Sequence, residues 1–273
     1  MFHRQKLIVF FAVAFFAITV APSLAWKNGP SGNKVTNSAK DCMDPPYSTH
    51  DWIADHGRAL LPTGERAWLD SHRKILFIGT EAPDYDKIRL ACGVPNRGYN
   101  DTGGGNHDLR FDDFENVTID TPAYRAQQEY DKAAAAYRSG KHADAAYYLG
   151  AAAHYIGDLS QYGHTMKGEF HHADFEIWVG SLTPSFDGGG VFERFIKADG
   201  LEPRSAYDAA IRTGKLTRFG KNPVIAPGDM DELDVRNSPA ALSSIGHTLN
   251  KAVNETADML HGFYVTVVKG SPP

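Results

Sequence analysis

The chain has 273 residues, 42% of them hydrophobic and 22% charged, with 28 basic residues against 33 acidic ones. That hydrophobic content supplies a substantial core, and the charge is too sparse and too mixed for a disordered or halophilic chain. The acidic balance gives no sequence-wide attraction for nucleic acid or anionic membranes, although a metal site could still supply positive charge locally.

The first 25 residues read as a secretory signal peptide. Arg4 and Lys6 form a basic start, Leu7 to Ala21 is an apolar run broken only by Thr19, and Ser23-Leu24-Ala25 offers a small-x-small cleavage site. The alternative is an uncleaved anchor, for which an apolar run of about 15 residues is short of the ~20 a membrane span needs. Cleavage would make Trp26 the first residue of a secreted chain, extracellular or periplasmic. Export also permits a disulfide between the two cysteines, Cys42 and Cys92. Asn100, Asn116 and Asn254 head glycosylation sequons that matter only in a eukaryotic secretory pathway.

Residues 27–48 are rich in Gly, Asn, Ser, Lys and Pro and read as an extended arm. Apolar periodicity then predicts a helix over 49–61 and another over 65–78, followed by a loop over 79–105. Thr121-Pro122 predicts the start of a helix running to Arg138, with proline in the first turn, and Ser139-Gly140 ends it. An alanine-rich helix follows over 142–160. A further helix starts near 171–173 and passes through Phe175 and Trp178. Gly188-Gly189-Gly190 marks a turn. Residues 191–213 read as helical with a break near Gly200–Pro203, residues 214–236 as loop-rich, and 238–267 as a final helix. No alternating strand pattern of useful length, internal repeat or heptad array appears. The expected fold is a single all-α domain over 26–273 with long loops.

The chemistry concentrates between His154 and Glu176. His154 and Asp158 lie four residues apart, His164 follows after five more, and His172 and Glu176 repeat the four-residue spacing. Residues so spaced share a helix face and can grip one ion from a rigid backbone. Taken alone, His154 and Asp158 could be a helix-end ion pair; five such residues in a stretch of 23 argue for metal. Imidazole and carboxylate suit zinc, which needs no redox chemistry in an oxidising compartment, though histidine also holds iron or copper. The absence of nearby cysteines favours open, hydrolytic sites. His56, His72, His142, His247 and His261 lack partner spacing and read as surface or satisfied core residues. No Gly-x-Ser-x-Gly elbow or cysteine–histidine context supports covalent catalysis.

The His-x3-Asp-x5-His run followed by His-x3-Glu resembles the zinc-dependent phospholipase C and S1/P1 nuclease superfamily, whose members are all-α, secreted and hold three zinc ions. In that superfamily the mature chain begins with a tryptophan that chelates zinc, and here the expected cleavage leaves Trp26 first. The resemblance implies further ligands: His50 in Thr49-His50-Asp51-Trp52-Ile53, Asp84 in Gly79-Thr80-Glu81-Ala82-Pro83-Asp84, and His107 in Asn106-His107-Asp108. One zinc would be held by Asp84, His107, His154 and Asp158. A close neighbour would take Trp26, His50 and a bridging Asp158, and a third His164, His172 and Glu176. The resemblance covers most of residues 26–180. The stretch from Trp26 to His50 is longer than the pattern, and His171, Glu169 and Asp174 are rivals to the third set.

The resemblance further implies phosphodiester hydrolysis by metal-activated water, with Asp84 and Asp158 as catalytic carboxylates and Tyr85 beside a lipid headgroup. The expected substrate is a phospholipid or other phosphodiester. Single-stranded nucleic acid is the alternative, for which Tyr99, Phe111, Tyr155, Tyr162 and Trp178 are aromatic candidates. A non-catalytic secreted metal-binding protein is the third reading. No stable protein partner is implied.

Overall fold

The computed structural model describes residues 47–84, 101, 105–166, 172–184, 190–220 and 238–270. The signal peptide, Trp26, Tyr85, Tyr99, Asn100, His171, Glu169 and both cysteines lie outside them. Eight α-helices are described: α1 Thr49–Leu60, α2 Thr63–Asp70, α3 Arg73–Glu81, α4 Thr121–Arg138, α5 His142–Asp158, α6 His172–Ser181, α7 Ala206–Phe219 and α8 Pro239–Phe263. A short antiparallel hairpin pairs β1, Arg110–Phe111, with β2, Val117–Ile119. The expected all-α class is met.

The starts of several helices follow directly from their residues. Ser48 caps α1 in a reciprocal box with Asp51. Pro122 sits in the first turn of α4, and Ser238 caps α8 just before Pro239. Helix α5 lies at the centre, packed against α1, α3, α4, α7 and α8. Its alanines at 145, 146, 151, 152 and 153 are all buried, so neighbouring helices approach closely.

The closest approach is between α3 and α5. A Cβ on Gly150 would lie 2.0 Å from the Leu76 carbonyl oxygen, and one on Gly79 would lie 2.0 Å from the Tyr147 carbonyl oxygen. The two backbones therefore touch where each helix carries glycine. One apolar cluster gathers around this crossing, including Leu76, Ile78, Tyr148, Leu149 and Ile156. A second joins Trp52 and Ile53 of α1 to Phe175 of α6 and Ile245, Leu249 and Val253 of α8.

Two segments differ from expectation. The helix predicted over 65–78 is two helices, α2 and α3. The break falls at Ser71-His72, where Ser71 Oγ donates to the Ala67 carbonyl and His72 Nδ1 lies 2.8 Å from that of Trp68. The His72 ring thereby takes the Trp68 carbonyl, while its backbone N–H turns to Leu69 instead. Helix α3 then runs on to Glu81, shortening the expected loop.

The second difference covers 191–213. Only a 3₁₀ turn at Glu193–Phe195 is helical there before α7 begins at Ala206. The intervening chain runs along α8, whose side chains meet its backbone. Lys197 N donates to Asn250 Oδ1 at 2.8 Å, Asp199 N to Asn254 Oδ1 at 3.2 Å and Glu202 N to Asp258 Oδ1 at 2.8 Å. These three bonds replace those a helix would have made. They also bury Asn254, whose amide donates to the Lys197 carbonyl, so its sequon is closed in the folded chain while Asn116 is exposed.

The glycine crossing is testable. Gly150→Ala is expected to cost about 3 kcal/mol, at the upper end of ordinary overpacking because backbone cannot yield as a side chain can. Urea unfolding measures it, and a change under 0.5 kcal/mol would mean the crossing is slack.

Candidate metal centre

Four elements bring the expected residues of the first half together. The start of α1 supplies His50, the turn after α3 supplies Asp84, the chain before β1 supplies His107, and the last turn of α5 supplies His154 and Asp158. All five are buried. The α3–α5 crossing places the Thr80 carbonyl 2.6 Å from His154 Nδ1. Nδ1 therefore carries the proton, and Nε2 turns its lone pair inward. There it lies 3.2 Å from Asp158 Oδ2 and 3.7 Å from Asp84 Oδ1.

His50 stacks on His154, with ring centroids 4.0 Å apart. Its Nε2 is 3.3 Å from Asp158 Oδ1. Gly157 makes room for it, since a Cβ there would lie 2.9 Å from His50 Nδ1. His107 enters the other way round. Its Nδ1 is 2.7 Å from Asp158 Oδ2, while Nε2 is 2.9 Å from the Asp101 carbonyl oxygen.

The second group lies beside the first, with His164 and His107 ring centroids 6.2 Å apart. His164 stands on the 3₁₀ turn Tyr162–His164, Nδ1 3.3 Å from Asp108 Oδ1. His172 Nε2 is 2.6 Å from Glu176 Oε1, and His164 Nε2 is 3.8 Å from the same oxygen.

Three sets have ligand atoms within 4.8 Å of one another: His50, Asp84 and His154; His107, His154 and Asp158; and His164, His172 and Glu176. The third set coincides with the expected one. In the first two, His50 falls with Asp84 and His154 in one triad, whereas the resemblance grouped it with Trp26 and Asp158. Five side chains thus make one continuous cluster.

A cation fits this donor set on its own evidence of strain. Both nitrogens of His50, Nε2 of His154 and of His164, Oδ1 of Asp84 and of Asp158, and Oε2 of Glu176 are buried without a hydrogen-bond partner. Leaving such atoms unmet costs about 1–3 kcal/mol each, more for charged groups. A metal satisfies them together.

The protonation states agree. Burial, with the adjacent His154 imidazole, holds His50 well below its usual range, so it stays neutral. Burial also pushes Asp84 up to about 6. Asp158 resists burial, because His154 and His107 hold its carboxyl well below the usual range. Burial would likewise lower His107, but Asp158 outweighs it and raises the ring to about 9. Burial would lower His154 too, but Asp158 and Asp84 raise it, so in the ion-free centre both rings share the charge that balances Asp158.

Sequence reasoning missed the Thr80 carbonyl, Asp101, Asp108 and Gly157. Spacing shows ligands, whereas these act on them from other elements. It also offered Tyr155 and Tyr162 as stacking aromatics. Both are buried and committed elsewhere: the Tyr155 hydroxyl donates to Asp101, and that of Tyr162 lies 2.5 Å from Ser244 Oγ. Phe111 is partly buried, packing against the core and beside Phe219. The histidines outside the centre are engaged, His56 with Glu193, His72 with Trp68 and His261 with Glu65, while His142 stacks on Tyr137 and His247 lies against Phe195.

Neither a protein-family model nor a curated protein matches the sequence. Solved structures do match its fold. The alpha toxin of Clostridium absonum superposes with a TM-score of 0.54 at 17% identity, over 87% of this chain and 66% of that one. The alpha-toxin of an avian strain of Clostridium perfringens gives 0.53 at 18%, over 88% and 66%. At these identities the likeness shows the fold, and the chain spans 66% of the length of either toxin. The shared architecture is an all-α fold.

Zinc returned to chelator-treated protein is expected to raise the unfolding midpoint, by about 2.7 kcal/mol of stability per site at a hundredfold excess over Kd. An unchanged midpoint in calorimetry would count against the centre.

Proposed function

We propose that this chain is a secreted, zinc-dependent phosphodiester hydrolase of the phospholipase C type, holding three ions. The observation that carries the reading is the buried, hydrogen-bond-deficient cluster of imidazoles and carboxylates around Asp158. The fold shared with two alpha toxins supports it. Asp84, His107, His154 and Asp158 would hold one ion, Trp26, His50 and Asp158 a second, and His164, His172 and Glu176 a third. Zinc held there supplies Lewis acidity, making water nucleophilic near neutral pH and neutralising phosphate charge.

The chain's own residues do the rest. The Thr80 carbonyl fixes the His154 ring. Asp158, in contact with three imidazoles, ties the first two sets into one unit. Asp84 combines ligation with a carboxylate able to orient the attacking water. Tyr85, next in the chain, would stand beside the headgroup. Trp26 requires removal of residues 1–25, which exports the protein. No helix among the described residues is long and apolar enough to cross a membrane. The commitment of Tyr155 and Tyr162 to buried hydrogen bonds favours lipid over a stacked nucleic-acid strand.

The decisive assay offers phosphatidylcholine, single-stranded DNA and a simple phosphodiester in parallel, with zinc. Phosphatidylcholine is expected to be hydrolysed fastest, and Asp158→Asn to lose at least a hundredfold in rate with its helicity intact. Preference for DNA would establish the nuclease instead, and no turnover with metal bound a non-catalytic metal protein. A residue left in front of Trp26 is expected to release one zinc in metal analysis, since a free α-amine is needed; full occupancy would remove Trp26 from the ligand set.

A further inference from the structure

His107, like Asp84, is carried by neither an α-helix nor a 3₁₀ turn, yet its ring is fixed at both nitrogens. The fixing residue is Asp101, six positions earlier. The Asp101 carbonyl oxygen lies 2.9 Å from His107 Nε2. Its carboxylate is held in turn by the two helices behind it. Oδ2 accepts from Arg125 of α4 at Nε, 2.7 Å, and at the terminal nitrogen, 2.6 Å, and from the Tyr155 hydroxyl of α5. Oδ1 lies 3.4 Å from the Asn106 amide. The Arg125 guanidinium also stands 5.7 Å from the centre of the Tyr155 ring, and that ring is 5.6 Å from His107.

We infer that Asp101 is a positioning residue: clamped by Arg125 and Tyr155, it holds the Nε2–H of His107 and thereby presents Nδ1 to the metal centre. The polarity of the contact settles the direction. A carbonyl oxygen only accepts, so Nε2 must donate, and Nδ1 is the nitrogen left for Asp158 or an ion. His154 is set oppositely by the Thr80 carbonyl, which takes Nδ1 and leaves Nε2. The two rings therefore face one carboxylate, Asp158, through different nitrogens, as their different backbone origins require. The Asp101 carboxylate faces Arg125, Tyr155 and Asn106, on the far side of His107 Nε2 from Asp158. Asp101 acts through His107 alone, using α4 and α5 as a fixed wall.

The inference rests on the metal reading proposed above, and its test reads ion retention and imidazole protonation instead of turnover. Native mass spectrometry over a chelator series compares wild type with Asp101→Ala, Asp101→Asn and Tyr155→Phe. Asp101→Ala is expected to release one ion at about 10- to 100-fold lower chelator, the range typical of lost outer-sphere support. The ion at His164, His172 and Glu176 is expected to stay. Asp101→Asn keeps an acceptor for Arg125 and Tyr155 and should recover most of the loss, with Tyr155→Phe intermediate. In 15N-histidine spectra the His107 Nε2–H is expected to be protected from exchange in wild type and exposed in Asp101→Ala.

Unchanged release with an unchanged Nε2–H would overturn the clamp. So would loss of every ion in step with helicity in Asp101→Ala while Tyr155→Phe matches wild type. If wild type takes up no metal, the hydrolase reading fails, and the Nε2–H signal of the ion-free protein still decides the clamp.

Discussion

Everything at the centre depends on how near α3 comes to α5. Gly79 and Gly150 let two backbones meet without intervening side chains, and this contact sets the Thr80 carbonyl against His154. The same approach decides where α3 ends relative to Asp158, and so where Asp84 emerges. A separation larger by one methyl group would shift His154 and the turn that carries Asp84, and break the bond between the Thr80 carbonyl and His154. Packing and coordination are here a single constraint, because both glycines lie within four residues of a ligand or its support.

The second constraint is charge. Among the described residues Asp158 is buried with no arginine or lysine paired to it, and its compensation comes from imidazoles. An isolated buried carboxylate would be untenable. The cluster resolves this without metal by raising His107 and His154, and with metal by handing that role to the cation. Other buried acids are treated differently. Asp55 is held by Arg58 and Arg73, the ordinary solution.

Much of the candidate centre was legible because its residues obey local periodicity. His154 and Asp158, and His172 and Glu176, sit on helices where a four-residue interval fixes a shared face. His50 and Asp84 were reachable only through the family resemblance, because their partners are distant in sequence. The outer contacts were not legible at all. A backbone carbonyl such as that of Thr80 has no signature in residue type, and Asp101 looked like one more acid in a glycine-rich loop. The fold failed in the same manner. The break expected near Gly200–Pro203 runs instead over residues 196–205, because Asn250, Asn254 and Asp258 on α8 supply hydrogen bonds to its backbone.

That stretch also has a commensurability of its own. Two residues of extended chain advance about 6.6 Å, and four residues of helix about 6.0 Å. Lys197 and Asp199 therefore keep pace with Asn250 and Asn254 almost without adjustment. The next bond does not: Glu202 follows three residues later, an extended advance of about 9.9 Å, while Asp258 is again only one helical step on. The surplus has to be folded away between them, and Gly200, with φ of 106°, stands at that place. The segment works as a vernier against α8, and its single left-handed glycine is the position where two unequal scales are brought back into register.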